Sequence, residues 1–136
     1  MPTSLMLFLN FITNKETKTM RYTFLLYSDP TKATDMTEED WAKAKEIYGQ
    51  YISALQEAGV FIETDWLHPA DTATTVTLAG GEKRVQDGPF AETKETLGGY
   101  FAIDVPNLDE AMKWAEKCPH VHYGKLEIRA SAMGSV

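Results

Sequence analysis

The spacing of apolar residues alternates along the chain between the pattern typical of strands and that typical of helices. The order of these segments restricts the fold more than any other feature. A run of branched and aromatic residues at 21–27 predicts a strand that ends in a Ser-Asp-Pro turn. Apolar residues then recur at three- and four-residue spacing over about five turns, which is typical of a helix with one buried face. These residues are Trp41, Ala44, Ile47, Tyr48, Tyr51, Ile52, Leu55 and Ala58. The first predicted elements are therefore a strand and a long amphipathic helix.

Both ends of this predicted helix carry local signals. Thr37 and Asp40 have the spacing of a capping box, with Asp in place of the usual Glu. Acidic residues at 38–40 suit the positive end of the helix dipole. Gly59 is the expected stop, because glycine readily adopts the left-handed conformation that follows a helix.

The remaining pattern predicts five more strands and one more helix. We expect the strands at residues 60–67, 72–78, 82–86, 99–105 and 125–129. Gly80 and Gly81 join the second and third of these strands into a hairpin. Asn107 and Glu110 predict the start of the second helix, which ends near Pro119 because proline cannot continue a helix.

This element order, β-α-β, hairpin, β-α-β, predicts an α+β, ferredoxin-like fold (split βαβ) with an inserted β-hairpin. Two βαβ halves place both helices on one face of an antiparallel sheet. The other face of the sheet still needs a cover, and a second copy of the chain is the cover that we expect. The sequence therefore predicts a homodimer.

Charge and cysteine content restrict the partners and the location. The 136 residues contain 13 Lys and Arg against 20 Asp and Glu, a formal net charge of −7. Because no Lys/Arg-rich run offsets this charge, the surface repels phosphate backbones, and we expect no nucleic-acid partner. Cys118 is the only cysteine, which excludes an intrachain disulfide and favours a reducing, cytoplasmic location.

The apolar segment at residues 4–12 is the nearest feature to a targeting signal. It is far shorter than the roughly 20 residues that span a bilayer, and it lacks the flanking features of a signal peptide, so we expect no membrane partner. We predict that residues 1–19 are an N-terminal extension, disordered or a misassigned start, and that residues 20–136 form a single domain. An ordered extra strand or a dimer-capping arm is the alternative for residues 1–19.

A nine-residue run carries a resemblance to a known family. Residues 87–95 are Asp-Gly-Pro-Phe-Ala-Glu-Thr-Lys-Glu, and Leu-Gly-Gly-Tyr follows at 97–100. With further matching segments from about residue 20 to about residue 130, this chain resembles the DGPF-domain branch of the YCII-related proteins. The resemblance implies a dimeric α/β barrel of ferredoxin-like domains, in a branch that is mostly uncharacterised.

The wider family suggests a His–Asp pair that the matching positions here do not carry. The His would lie near the start of the first helix, where residues 37–41 contain none. The Asp would lie just before a proline near the end of the second helix, where Cys118 precedes Pro119. We therefore do not assign this His–Asp pair to any residues of this chain.

The loop that carries the resemblance also holds most of the candidate site residues. In the functional interpretation, Asp87 is a general base, and His68 is a second candidate base near a pocket. Lys94 would anchor a substrate carboxylate or phosphate, beside Thr93 and Glu92.

A structural interpretation explains the same loop without chemistry. Asp87 would cap a turn, a helical turn would begin at Pro89, Phe90 would enter the core, and Lys94 would pair with an acid. The residue types favour this interpretation. For Arg129 the choice lies between binding a substrate anion and pairing with a carboxylate on the same side of its strand, and we favour the ion pair.

Three further residues have both a chemical and a structural interpretation. His120 and His122 share one face of an extended segment, as two metal ligands would, but a third ligand, His68 or Asp65, would have to come from elsewhere in the fold. We therefore predict two exposed imidazoles, no metal site and no cofactor. Cys118 would need a nearby base to act as a nucleophile, and a buried, inert thiol is favoured.

Two function classes remain open from the sequence. One is an uncharacterised small-molecule enzyme with acid–base chemistry in a cleft or at a dimer seam. The other is a noncatalytic ligand-binding or regulatory dimer. A haem-degrading monooxygenase is a third possibility by fold-level analogy alone. Four aromatic residues are expected in core or dimer contacts, or in the lining of a small apolar ligand's pocket: Trp41, Trp66, Tyr100 and Trp114.

Overall fold

Six strands and two helices are present in the computed structural model, which describes residues 18–134. The strands are β1 (Met20–Ser28), β2 (Phe61–Trp66), β3 (Thr74–Ala79), β4 (Glu82–Asp87), β5 (Thr96–Val105) and β6 (Lys125–Ala130). The helices are α1 (Glu38–Glu57) and α2 (Leu108–Lys117), and short 3₁₀ turns lie at Pro30–Ala33, Ala70–Thr72 and Pro119–His122. The predicted strands and helices are thus confirmed, with ends that differ by a few residues.

Four of the strands form one antiparallel sheet in the order β2-β5-β1-β6, with β5 and β1 as the inner strands. β3 and β4 form a separate two-stranded hairpin. The protein is therefore α+β, with an arrangement compatible with the predicted ferredoxin-like fold. Within the described residues the sheet does not close into a barrel.

Both helices pack on the same face of the four-stranded sheet. Tyr51 of α1 donates a 2.7 Å hydrogen bond to the backbone carbonyl of Trp114 in α2, which ties the two helices together. Each large, fully buried apolar side chain stabilises the fold by about 1.5–3 kcal/mol relative to an exposed one. The buried cluster comprises Tyr22, Phe24, Leu26, Tyr51, Leu55, Phe101, Ile103, Val105, Ala111, Ala115 and Cys118.

The helix signals of the sequence are confirmed at the atomic level. Thr37 Oγ1 accepts a 3.1 Å hydrogen bond from the backbone N–H of Asp40, and Asp40 Oδ2 accepts one of 3.0 Å from the N–H of Thr37. Gly59 follows α1 with a φ of +73°, the left-handed conformation expected of a stop. Asn107 caps α2 by accepting a 2.9 Å hydrogen bond from the N–H of Glu110.

The predicted burial of Phe90 is wrong. Its side chain is 86% exposed, and no helical turn begins at Pro89. Gly88 donates its backbone N–H to the carbonyl of Ala73, and the Gln86 side chain donates to the Pro89 carbonyl at 2.8 Å. These bonds bind the segment after β4 to the hairpin, which is not part of the main sheet, so Phe90 does not reach the core.

The predicted extension at residues 1–19 lies outside the described residues, except for Lys18 and Thr19. Met20, the predicted first residue of the domain, is also the first residue of β1. Neither helix within residues 18–134 combines the length and the apolar content that a bilayer crossing requires.

Candidate functional site

A cavity of about 600 Å³ lies between the first half of α1 and the ends of β1, β2 and β5. Its apolar walls come mainly from α1 and the strands, and most of its polar groups come from β2, from the segment after β1 and from the segment after α2. The lining residues are Leu26, Ser28, Asp29, Lys32, Ala33, Met36, Trp41, Ala44, Tyr48, Ile52, Thr64, Asp65, Trp66, Gly98, Gly99, Phe101, His120 and Tyr123.

Two features of the chain keep this space open. The second half of α1 is packed on the sheet through Tyr51 and Leu55, both buried, whereas Trp41 in the first half is exposed. Below the first half of α1, Gly98 and Gly99 have no side chains that could fill the gap. A Cβ atom at Gly99 would lie only 2.8 Å from the carbonyl oxygen of Asp65, so this position has no room for a side chain.

Several aromatic rings line the cavity. The ring centroids of Trp41 and Trp66 are 5.9 Å apart, and those of Tyr48 and Trp66 are 5.8 Å apart. Tyr48 also stacks on Phe101, with an interplanar angle of 11°. Such rings offer flat apolar surfaces that suit a planar ligand.

Two tyrosine hydroxyls lie at the cavity wall and share a hydrogen bond. The hydroxyl oxygens of Tyr48 and Tyr123 are 2.6 Å apart. Burial raises the pKa of both phenols above the ordinary value, so both hydroxyls stay protonated at neutral pH. One of the two protons forms the shared bond, and the other O–H is available as a donor.

His120 is buried at the same wall, and its predicted exposure is therefore wrong. The side chain is 6% exposed, and Nε2 lies 2.8 Å from the carbonyl oxygen of Tyr27. The ring also makes an edge contact with Tyr123, at a centroid distance of 5.4 Å. A Cβ atom at position 124 would clash with both the imidazole and the Tyr27 carbonyl, which explains the glycine there. His122 is exposed, as predicted.

The mouth of the cavity is polar. Asp29 accepts hydrogen bonds from the hydroxyl and the backbone N–H of Thr31, at 2.7 and 3.0 Å. These bonds, with the positive charges of Lys94 and Lys32, hold the pKa of Asp29 below its ordinary value. Asp65 Oδ1 accepts a 2.8 Å hydrogen bond from the N–H that follows it. The mouth thus combines carboxylates with the one ammonium group of the lining, that of Lys32.

The two predicted catalytic residues lie outside this cavity. Asp87 ends β4 opposite Thr74 and is exposed, and His68 is exposed in the loop after β2. Within residues 18–134 the Asp87 carboxylate makes no side-chain hydrogen bond, so it does not act as the predicted turn cap either. Their catalytic roles stay predictions.

Two of the predicted substrate-binding residues line a second, shallower depression of about 450 Å³. Thr93 and Lys94 lie there with Tyr27, Glu95, Lys125 and Glu127, and Lys125 is paired with Glu95 at 2.7 Å. Glu92 is exposed and is not part of this lining. The structure therefore brings Thr93 and Lys94 together, and the charge of Lys94 acts on Asp29 of the larger cavity.

Arg129 forms the predicted ion pair. Its Nε lies 3.3 Å from a carboxylate oxygen of Glu127 on the same strand. Cys118 is fully buried, as predicted, and burial raises its pKa to about 11, which disfavours the reactive thiolate. In the part of the chain that the structure describes, no three His, Cys, Asp or Glu side chains are grouped as metal ligands.

Sequence reasoning found the aromatic lining as an alternative but missed the polar groups behind it. Tyr123 and His120 follow the second helix, where only their proximity to Pro119 marked a turn. The feature of the sequence that could have indicated the cavity is the pair Gly98 and Gly99 in a strand. Glycine inside a strand often marks a place where backbone or a ligand approaches closely.

Comparison with known proteins gives the family. The sequence model of the YCII-related domain matches residues 20–131. An uncharacterized protein of Rhizobium meliloti (strain 1021) is 33% identical over 116 residues, which cover 84% of this chain and 94% of that protein. The match spans all six strands and both helices, and so includes every element of the cavity. By these matches the chain belongs to the YCII-related domain family.

Proposed function

We propose that this protein binds a small, largely apolar ligand with a planar ring in the cavity between α1 and the sheet, without catalysing its conversion. The observation that carries the proposal is the cavity itself, whose volume of about 600 Å³ falls within the range of ligand sites. Asp87 and His68, the predicted acid–base residues, lie outside this lining. The carboxylates and the imidazole inside it, those of Asp29, Asp65 and His120, are each hydrogen-bonded to the backbone of the chain itself, and for these reasons we propose binding rather than catalysis.

The composition of the walls supports the ligand class. Burying a planar ring between Trp41, Trp66 and Phe101 removes apolar surface from water on both partners, at about 25 cal/mol per Å². Trp66 is 55% exposed in this structure, although large aromatic side chains are usually much more buried. A ligand in the cavity would cover this side chain.

We also propose that the chain is a ferredoxin-like domain of the DGPF branch that pairs into a dimeric α/β barrel. The Asp-Gly-Pro-Phe run at residues 87–90 supports the branch, and the strand order supports the fold. The dimer would form through the sheet face opposite the helices, which we name the open face.

The open face has the properties of a contact surface. Leu25, Tyr27 and Tyr100 lie there, on the strand positions that alternate with the buried core residues. Asp104 alternates in the same way, and its Oδ1 is a buried side-chain oxygen without a hydrogen-bond partner among the described residues. Arg21 pairs with a carboxylate of β2 at 2.9 Å and would lie within the same contact.

A pair of matched substitutions tests the proposed ligand site. Ala44 lines the cavity from α1, whereas Ala42 is exposed on the same helix and outside the lining. We expect 2-methylnaphthalene to bind the wild-type protein with one-site stoichiometry in isothermal titration calorimetry. Ala44→Trp fills the cavity and should weaken this binding at least tenfold, and Ala42→Trp should leave it unchanged. No binding by the wild-type protein, or equal affinity in both variants, would refute the proposal.

A further inference from the structure

The imidazole of His120 is fixed with one particular nitrogen free. A carbonyl oxygen can only accept, so the 2.8 Å contact with Tyr27 requires the proton on Nε2. In the neutral ring the lone pair is then on Nδ1, which makes no hydrogen bond within residues 18–134. In that range the one fully buried side-chain oxygen or nitrogen without a partner belongs to Asp104, so Nδ1, which has no partner, is not fully buried. His120 lines the cavity, and we take Nδ1, the ring nitrogen without a hydrogen bond, as the atom that a ligand bound there would meet.

A hydrogen-bond donor accompanies this acceptor. Tyr123 lines the cavity beside His120, with the two rings 5.4 Å apart, and its hydroxyl shares one hydrogen bond with Tyr48. The second phenolic proton of this pair is available to a ligand. The wall therefore offers one acceptor and one donor, and a hydroxyl group is the simplest ligand group that uses both.

We infer that His120 Nδ1 accepts a hydrogen bond from a ligand hydroxyl while the Tyr48–Tyr123 pair donates one, so that the ligand is a small hydroxyl-bearing aromatic molecule, a phenol. This inference rests on the proposed binding function of the same cavity. A ligand carboxylate would meet the Nδ1 lone pair, and the ammonium of Lys32 that could neutralise it is exposed. A ligand ammonium would lose its hydration among aromatic walls. A neutral hydroxyl meets neither obstacle.

Two probes of nearly equal shape isolate the role of the hydroxyl. We expect 2-naphthol to bind the wild-type protein about tenfold more tightly than 2-methylnaphthalene in isothermal titration calorimetry, as one added hydrogen bond allows. His120→Gln can keep the bond to the Tyr27 carbonyl through its amide N–H but lacks an acceptor at the Nδ1 position. In this variant the ratio of the affinity for 2-naphthol to that for 2-methylnaphthalene should fall to about two or less.

The outcomes separate this inference from the proposed function. If neither probe binds the wild-type protein, the cavity proposal fails and this inference fails with it. If both probes bind the wild-type protein equally, or if His120→Gln keeps the preference, the inference is overturned and ligand binding by the cavity stands.

A second measurement does not depend on the folding of the variant. In wild-type protein with ¹⁵N-labelled imidazoles, 2-naphthol should shift the Nδ1 resonance of His120, and 2-methylnaphthalene should not. The exposed His68 and His122 can each be replaced by Gln to assign the signals. An Nδ1 resonance that does not respond to saturating 2-naphthol would also overturn the inference.

Discussion

The hydroxyl oxygens of Tyr48 and Tyr123 lie 2.6 Å apart and join α1 to the turn before β6, across 75 residues of sequence. Through this bond the cavity wall on the helix side is tied to the wall that holds His120. The pair therefore contributes both to the stability of the domain and to the shape of the proposed ligand site.

Removal of this bond should be measurable as a coupling between the two tyrosines. We expect Tyr48→Phe and Tyr123→Phe each to lower the free energy of unfolding by about 1 kcal/mol. The double variant should lose less than the sum, by about 0.5–1.5 kcal/mol, because the second substitution removes a hydroxyl without a partner. Urea unfolding of the four proteins checks this cycle, and strictly additive losses would contradict a shared bond.

The two adjacent glycines of β5 should respond differently to the same substitution. A Cβ at Gly99 would approach the Asp65 carbonyl to 2.8 Å, whereas the nearest atom to a Cβ at Gly98 is 3.9 Å away. Gly99→Ala should therefore lower the free energy of unfolding by about 1–3 kcal/mol, as overpacking does. Gly98→Ala is the control and should change it by less than about 0.5 kcal/mol. Equal effects of the two substitutions in urea unfolding would contradict the described packing.

Most of the fold followed from the sequence because its signals are local. The Thr37 capping box, the apolar stripe of α1 and the Gly80–Gly81 turn each depend on residues close in the chain. The burial of Phe90 depends on distant parts of the chain. An aromatic residue in this position enters the core only if the hairpin before it packs on the main sheet. The hairpin forms its own sheet, and no local pattern indicates that separation.

The site was less predictable for the same reason. His120 and Tyr27 are separated by 93 residues, and their contact depends on how β6 enters the sheet beside β1. In sequence, His120 has the surroundings of a surface loop, so its burial could not be inferred. The loop at residues 87–95 has the most distinctive sequence, yet Asp87 lies outside the larger cavity.

Stability should depend on pH through the buried thiol of Cys118. Burial raises its pKa from 9.0 to about 11 in the folded protein, so the unfolded chain loses this proton first as the pH rises. This contribution to the free energy of unfolding is fully present below about pH 8 and falls as the pH rises from about 9 to about 11. At pH 9.5 the folded protein has lost about 1 kcal/mol of stability.

Urea unfolding of the wild-type protein and of Cys118→Ala at pH 7.5 and 9.5 measures this term. The wild-type protein should lose more free energy of unfolding between the two pH values than the variant, which has no thiol to ionise. In addition, the folded wild-type protein should react slowly with a thiol reagent at pH 8 and quickly once unfolded. Rapid reaction of the folded protein would contradict the burial of Cys118.

The open face should control assembly. In size-exclusion chromatography with light scattering, we expect the wild-type protein at twice the mass of one chain. Leu25→Asp places a charge at the centre of the proposed contact and should give the monomer. Leu108→Asp, at an exposed position at the start of α2, is the control and should stay dimeric. A monomeric wild-type protein would contradict the proposed pairing.

The most direct test of ligand binding in the α1 cavity is a crystal structure of the protein soaked with 2-naphthol. We predict electron density for the naphthol ring between the first half of α1 and the Gly98–Gly99 segment, in contact with Trp66 and Phe101. Density for the probe beside Asp87 or Lys94 instead, or none in the α1 cavity at a saturating concentration, would contradict the account.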